Sequence, residues 1–441
     1  MMKMMRKGRY AGRRRAWLRF FAAVSIVFWA AACLPEPPSV PPPEKPELTA
    51  RLTERLPRAC DDMEMERLSH ALAASLRYYD RLPAEREFVF GGYRFSAGDA
   101  RRVMGALQKE LQSGASKAAI RNWIDNHFVV YAVSRAGKAG EAGASAEVLY
   151  TGYYMPILSG SRNPGGPYQY PVYGRPRDLV SFQFSDFCAP CPPREASGRV
   201  EGGRLVPYYS RAALQRSGVL AERAEPIVFV DDPVDLFFLH IQGSGLVRLP
   251  GGGRMHVHYT ASNGRPYKSI GKYLIETGKI AREDLSMPSI QAYLKAHPGE
   301  REQILAHNPR YIFFEQETGG AKGCLDVELT PGRSVAMDQA VFPSGVLAFI
   351  QSRKPVVDPS LSDAPGGADP VVGWQDFSRF VVNQDTGSAI RGMGHVDLFW
   401  GGGRYAEIAA GRMKHPGKLF ILLPETFGLS GETEPDEKAQ G

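Results

Sequence analysis

Between residues 62 and 128 the apolar positions recur at helical intervals. Met65, Leu68, Leu72, Leu76 and Tyr79 are three or four apart, as are Val103, Leu107 and Leu111. Side chains so spaced share one face of a helix, and the pattern predicts amphipathic helices with core-facing stripes. After Trp123 the texture changes to short β-branched and aromatic runs broken by Gly, Pro and Asn, which predicts strands. They fall at 128–134 and 147–154, flanking an Ala/Gly-rich loop, and at 227–229, 236–241, 311–314, 346–351, 380–383, 396–400 and 419–423. Short helices are expected at 289–295 and 404–413, a surface loop at 355–373, and a polar, disordered tail from Ser430. A helical start followed by many short strands makes the chain mainly β with a helical N-terminal part, an α+β fold on a barrel or sandwich. No internal repeat is visible.

The N-terminus departs from this texture. Residues 1–19 carry eight basic side chains and no acidic one, and an apolar run from Phe20 to Ala32 follows, broken only by Ser25. Such a run is shorter than the roughly 20 residues that span a bilayer and suits a signal-peptide core. It ends Ala30-Ala31-Ala32-Cys33, which resembles the lipobox of bacterial lipoproteins, with Ala30 where Leu is usual. That resemblance implies lipidation of Cys33; the alternative is an ordinary secretory cleavage near Ala32. Both give an exported protein. Leu34, rather than Asp, after the cysteine favours the outer membrane by resemblance to lipoprotein sorting. A Pro-rich stretch then runs to about residue 59, and at ~3.1 Å per residue its first thirteen residues reach roughly 40 Å, a tether.

Removing residues 1–32 alters the charge balance. The full chain is +7, but the leader holds eight of its 54 basic residues, which leaves 46 against 47 acidic ones. The mature protein is close to neutral, so the basic balance gives no support for a nucleic-acid partner. Besides Cys33 there are Cys60, Cys188, Cys191 and Cys324. An even number in an exported chain permits disulfides. The preferred pairing is a local Cys188–Cys191 bridge with Cys60–Cys324 as a long-range staple, since Cys188-Ala-Pro-Cys191 lacks a second pair at metal-ligand spacing.

The densest chemistry lies between Gln384 and Gly403, where Asp385 and Asp397 edge a Gly-rich, aromatic-flanked segment. A carboxyl group among apolar neighbours has a raised pKa and can exchange a proton near neutrality. Asp338 closes another apolar run. The competing reading is that all three satisfy turn amides. His256 and His258 share a strand face, but two imidazoles without a third ligand read as structural. No cofactor or metal is expected.

Ordered motifs then carry a resemblance. Thr151-Gly-Tyr-Tyr-Met-Pro156, Tyr170-Pro-Val-Tyr173, Phe237-Phe-Leu-His-Ile-Gln-Gly-Ser-Gly245, Asn263-Gly-Arg-Pro-Tyr267, Asn308-Pro-Arg-Tyr-Ile-Phe-Phe314, Thr330-Pro-Gly-Arg-Ser-Val-Ala-Met-Asp338 and the 384–403 segment together resemble the membrane-bound lytic murein transglycosylases of the A type. The resemblance implies a double-psi β-barrel interrupted by an inserted second β-domain. The barrel would comprise residues 60–158 and 312–429, and the insert 159–311 would line a glycan groove. The family's three "3D" aspartates map onto Asp338, Asp385 and Asp397, with Asp397 the catalytic acid. Ser388 and Arg391 stand where Gly and Lys are more usual, which bears on substrate preference.

Such an enzyme cleaves the MurNAc-β-1,4-GlcNAc bond of peptidoglycan strands and leaves 1,6-anhydroMurNAc. One carboxyl group serves as acid and then as base, and the tethered 6-hydroxyl lowers the entropic barrier. Asp397 takes that role, with Asp385 and Asp338 orienting the site, although Asp385 and Asp397 could exchange roles. Sugar-binding candidates are Tyr153, Tyr154, Gln242, Ser244 and Tyr267; for the tyrosines the competing reading is core packing. Two rival functions remain: a hydrolase on the same barrel, with Asp385 activating water, and a non-catalytic wall-binding lipoprotein. Cell-wall synthases or hydrolases are possible partners.

Overall fold

The computed structural model describes residues 48–53, 55–135, 146–183, 195–216, 218–358, 360 and 370–426. Cys33, the Pro-rich stretch up to residue 47, Cys188, Cys191 and the C-terminal tail lie outside them; the last part of the expected tether is not a tether, because Leu48–Thr53 is a strand paired with Val130–Arg135.

Strands β1 (Leu48–Thr53), β4 (Phe128–Arg135) and β5 (Val148–Met155) join β15 (Ser334–Ala336), β16 (Leu347–Val357), β17 (Val371–Asp385), β18 (His395–Gly402) and β19 (Lys414–Pro424) in one sheet. The sheet closes on itself. β19 pairs with β16 and, through its first residues, with β5, so β5-β19-β16-β17-β15-β18 form a six-stranded ring. Two pairings in the ring are parallel, β15 with β17 and β18 with β5. Inward alternation of Val335, Met337, Leu347, Phe349, Val396 and Leu398 fills the barrel core.

The N-terminal helices Met65–Asp80, Ala97–Gln112 and Lys117–His127 pack their apolar stripes onto this barrel, with Leu68, Leu72, Tyr79, Val103 and Leu107 buried. The helical region is not continuous. A hairpin of β2 (Glu87–Phe90) and β3 (Tyr93–Ser96) divides it at Gly91 and Gly92, whose φ values of 57° and 85° glycine alone adopts freely. The next helix starts at once, because Ser96 and Asp99 form a reciprocal capping box.

The chain leaves the barrel after β5 and builds a second sheet before returning at β15. Its strands are β6 (Ile157–Ser161), β7 (Tyr170–Tyr173), β11 (Pro226–Val230), β12 (Ser244–Arg248), β13 (Arg254–Ser262) and β14 (Ile312–Glu317), in the order β14-β13-β12-β6-β11-β7. A small sheet of β8 (Val180–Gln183), β9 (Glu195–Glu201) and β10 (Arg204–Pro207) and several short helices complete this insert. The fold is therefore mainly β, a barrel interrupted by an inserted β-domain.

Three further expectations need correction. The apolar run 236–241 is not a strand but part of the helix Pro233–Gln242. Asp232 accepts from the amides of Val234 (2.7 Å) and Asp235 (3.4 Å), Pro233 opens the first turn and Gly243 at φ 79° ends it. Buried on most sides, the run shows no helical period. The predicted loop 355–373 is shorter, because β16 extends to Val357 and β17 resumes at Val371. Finally, Cys60 and Cys324 are both free. The carbonyl of Cys60 accepts from the hydroxyl of Ser378 within β17, whereas the amide of Cys324 donates to Asp385 at the end of that strand. Seven extended residues separate those anchors by roughly 23 Å, beyond the reach of a disulfide.

Candidate active site

Asp385 and Asp397 are brought together by β15. Its Ala336 is the register partner of Asp385 on the parallel strand β17 and of Asp397 on the antiparallel strand β18. The short methyl side chain between them leaves the floor open. β17 is held in register by Gln384, fully buried, whose amide donates to the Ala71 carbonyl (2.7 Å) and to Ser75 (3.0 Å) and whose oxygen accepts from Ser334 (2.6 Å). This network ties the end of β17 to the first helix and to β15.

Asp397 sits opposite Thr151 in the β18–β5 register, and its Oδ1 accepts from the Thr151 hydroxyl at 2.8 Å. Among the described residues nothing hydrogen-bonds its other oxygen. Half-buried, Asp397 is pushed up to about 7 by burial; the Thr151 bond opposes this and the charge of Asp385 adds to it. The same Thr151 oxygen lies 2.8 Å from Nε2 of His395, two residues before Asp397 on the same strand face.

Asp385 is more crowded. Oδ1 accepts from the amides of Thr386 (2.9 Å) and Cys324 (3.0 Å), and Oδ2 accepts from the Tyr153 hydroxyl at 2.9 Å. Burial lifts it to about 6 against those three donors. Asp338 stands apart. It is buried, its Oδ1 accepts from the Ala340 amide (3.1 Å) and its Oδ2 from the Gly392 amide (2.7 Å), so it braces the loop that leads into β18. Arg391, in that loop, lies 3.9 Å from the same carboxylate.

A narrow cavity of about 10 Å³ opens beside Asp385, lined by Tyr153, Tyr154, Gln242 and Ser244 together with Lys322 and Phe399. The Tyr153 ring packs on Phe399 at a tilt of 42°, 5.2 Å between centroids. Gln242 uses its Oε1 to accept from the Tyr154 amide (3.0 Å), and the Ser244 hydroxyl meets Nδ1 of His258 at 2.8 Å. Tyr267 does not line this cavity. It belongs to a loop organised by the buried Asn263, whose amide donates to the Tyr209 and Pro309 carbonyls, both at 2.8 Å.

Residues 149–315 match the model of the MltA specific insert domain, and residues 333–423 match that of the 3D domain. The chain belongs to the membrane-bound lytic murein transglycosylase A family. The family member of Escherichia coli (strain K12) is 29% identical over 328 residues, 74% of this chain and 76% of that protein. A membrane-bound lytic murein transglycosylase from Agrobacterium tumefaciens superposes with a TM-score of 0.66 at 26% identity, covering 86% of this chain and 98% of that one. The fold is shared with E. coli MltA solved with bound chitohexaose, at a TM-score of 0.62 and 23% identity over 86% of this chain and 95% of that one.

Sequence reasoning did not single out Thr151, His395, Lys322 or Cys324 at this MltA-type site. Thr151 and His395 lay inside motifs already in view, and their strand positions were the available signal: each faces the Asp397 side of a parallel pair. Lys322 is held by Glu317 (3.0 Å) and Asp326 (3.2 Å), and nothing in its local sequence marks it.

Proposed function

We propose that the protein is a peptidoglycan lytic transglycosylase that cleaves the MurNAc-β-1,4-GlcNAc bond of glycan strands and forms 1,6-anhydroMurNAc, with Asp397 as the one acid/base. The observation that carries this reading is the unequal state of the two aspartates. Asp397 has one hydrogen-bond partner, Thr151, and is raised to about 7, so a proton rests on it near neutrality and its second oxygen is open to a substrate. Asp385 has three donors on its two oxygens, which suits an orienting anion rather than a base for water.

In the first step the Asp397 carboxyl proton passes to the glycosidic oxygen as the C1–O bond breaks. The carboxylate then takes the proton of the MurNAc 6-hydroxyl as O6 closes on C1, so Asp397 ends as it began. Asp385 and Tyr153 fix the cavity wall, Asp338 sets the loop before β18, and Tyr153, Tyr154, Gln242 and Ser244 contact sugar; the position of Tyr267 supports a role in the insert's loop instead. The barrel portion carries the acid and the insert forms the facing wall; the expected bounds, 60–158 with 312–429 and 159–311, move outward because β6 (Ile157–Ser161) and β14 (Ile312–Glu317) pair within the insert's sheet.

Digestion of purified sacculi in H₂¹⁸O tests the reaction. Anhydro-ended muropeptides without solvent oxygen are expected, whereas a labelled reducing end establishes the hydrolase. Asp397→Asn should lower release by about 10²- to 10⁴-fold, the usual contribution of a general acid/base. Undiminished release would displace Asp397 from its role.

The relatives are named membrane-bound, and the leader and Cys33 support anchoring as an outer-membrane lipoprotein facing the periplasm. Labelling with a fatty-acid analogue that Cys33→Ser abolishes is the expected result.

A further inference from the structure

We propose that Thr151 and His395 are positioning residues that switch Asp397 between acid and base, through competition for the single hydroxyl proton of Thr151. This rests on the transglycosylase reading and extends it.

The Thr151 oxygen lies 2.8 Å from Asp397 Oδ1 and 2.8 Å from His395 Nε2. One hydroxyl hydrogen cannot serve both acceptors. The tautomer of His395 decides whether Nε2 is an acceptor at all. The backbone of Ala389 acts on the ring in the sense that favours a ring N–H, against the effect of burial. With Nε2 facing the Thr151 oxygen, the neutral tautomer that the proposal requires carries its proton on Nδ1. Burial keeps the imidazole neutral, so Nε2 presents its lone pair to Thr151.

Two arrangements follow. While Asp397 is protonated, Thr151 donates to His395 and its oxygen accepts from the Asp397 carboxyl, so no hydroxyl stabilises the carboxylate and the proton is retained on the acid. Once that proton has moved to the glycosidic oxygen, the new carboxylate is the stronger acceptor, and the Thr151 O–H rotates to Oδ1. When the proton of the 6-hydroxyl returns to Asp397, the Thr151 O–H swings back to Nε2. The Thr151 O–H bond never breaks, and no proton is gained or lost. The other titratable groups facing Asp397 are Asp385 at the end of β17 and Tyr153 on β5; Ala336 of β15 brings none. Neither of these reaches Thr151 or His395 by a hydrogen bond among the described residues, so the competition is confined to three side chains.

The test is the basic limb of kcat/KM against pH, read as release of anhydro-ended product. Activity needs protonated Asp397, so this limb follows its pKa. His395→Leu leaves Thr151 donating to Asp397 alone, which favours the carboxylate, and the limb should move to lower pH by about one unit. Thr151→Val removes that donor, and the limb should move to higher pH while kcat falls about tenfold. Thr151→Ser should restore the wild-type limb, and the double variant should behave as Thr151→Val, since His395 acts only through Thr151. Shifts in the same direction, no shift, or additive shifts in the double variant would overturn the proposal. Should His395→Leu not fold, His395→Gln, whose amide oxygen still accepts, and His395→Met, which does not, supply the same contrast. If wild type yields no anhydro product the transglycosylase reading fails; if it does and the limbs do not diverge, only the switch fails.

Discussion

At the scale of the residue, a carboxyl group raised by burial has a cost that depends on pH. The folded-state pKa of Asp397, about 7, lies above the ordinary aspartate value near 4 in the unfolded chain. Between those two values the folded protein binds more protons, so its stability is greatest below about pH 4 and falls as pH rises towards 7. Asp385, raised to about 6, acts in the same sense. Asp397→Asn should therefore melt higher than wild type at pH 8, by the equivalent of about 1–2 kcal/mol after allowance for its partial exposure, and the gain should vanish near pH 4. A melting series across pH checks this; equal melting at pH 8 would mean that the carboxyl is not strained by burial. Asp385→Asn should also shift the basic activity limb down, because the negative charge that helps to keep Asp397 protonated is removed. That these two aspartates mattered was legible from their apolar surroundings. Their inequality was not, because it depends on donors contributed by Cys324, Tyr153 and Thr151, which are remote in sequence.

At the scale of the element, the site depends on a strand of only three residues. β15 carries Ala336 between the two aspartates and is paired with β17 and β18 on either side. Its anchor is Arg333, fully buried, which holds both oxygens of Asp61 (2.5 and 2.9 Å) and the carbonyls of Phe380 and Glu64 (2.7 and 3.0 Å). Asp61 in turn accepts from the Phe380 amide at 2.8 Å. Removing one partner strands a buried charge, so Asp61→Ala should destabilise by about 3–5 kcal/mol and depress activity, while Asp61→Leu combined with Arg333→Met should recover much of the loss. Chemical denaturation of the three proteins measures it, and an additive double variant would show that the pair does not act as a unit. The barrel strands were readable because alternation and β-branched content persist along them. The helix Pro233–Gln242 was not, since burial on most sides erases the period; its Asp-Pro start and Gly end were the better signal.

At the scale of the molecule, the shorter covalent joint of barrel and insert is where β5 runs through Met155 and Pro156 into β6, the return from β14 to β15 being longer. The joint alone does not define the width of a groove. Gln242, at the end of an insert helix, bridges it by accepting from the amide of Tyr154 in barrel strand β5. Sequence reasoning placed Gln242 at the sugar on the strength of its glycine neighbours; the geometry makes it first a clasp that also lines the cavity. The alternatives separate by substrate length. If Gln242 chiefly holds the two parts in register, Gln242→Ala lowers kcat/KM on polymeric glycan about tenfold, the worth of one buried hydrogen bond, mostly through KM. A short fragment that fills only the subsites beside Asp397 is then cleaved almost as before. If Gln242 instead touches sugar at the point of cleavage, polymer and fragment lose activity alike, and the clasp is refuted. The melting temperature should change little in either case, because each part keeps its own core.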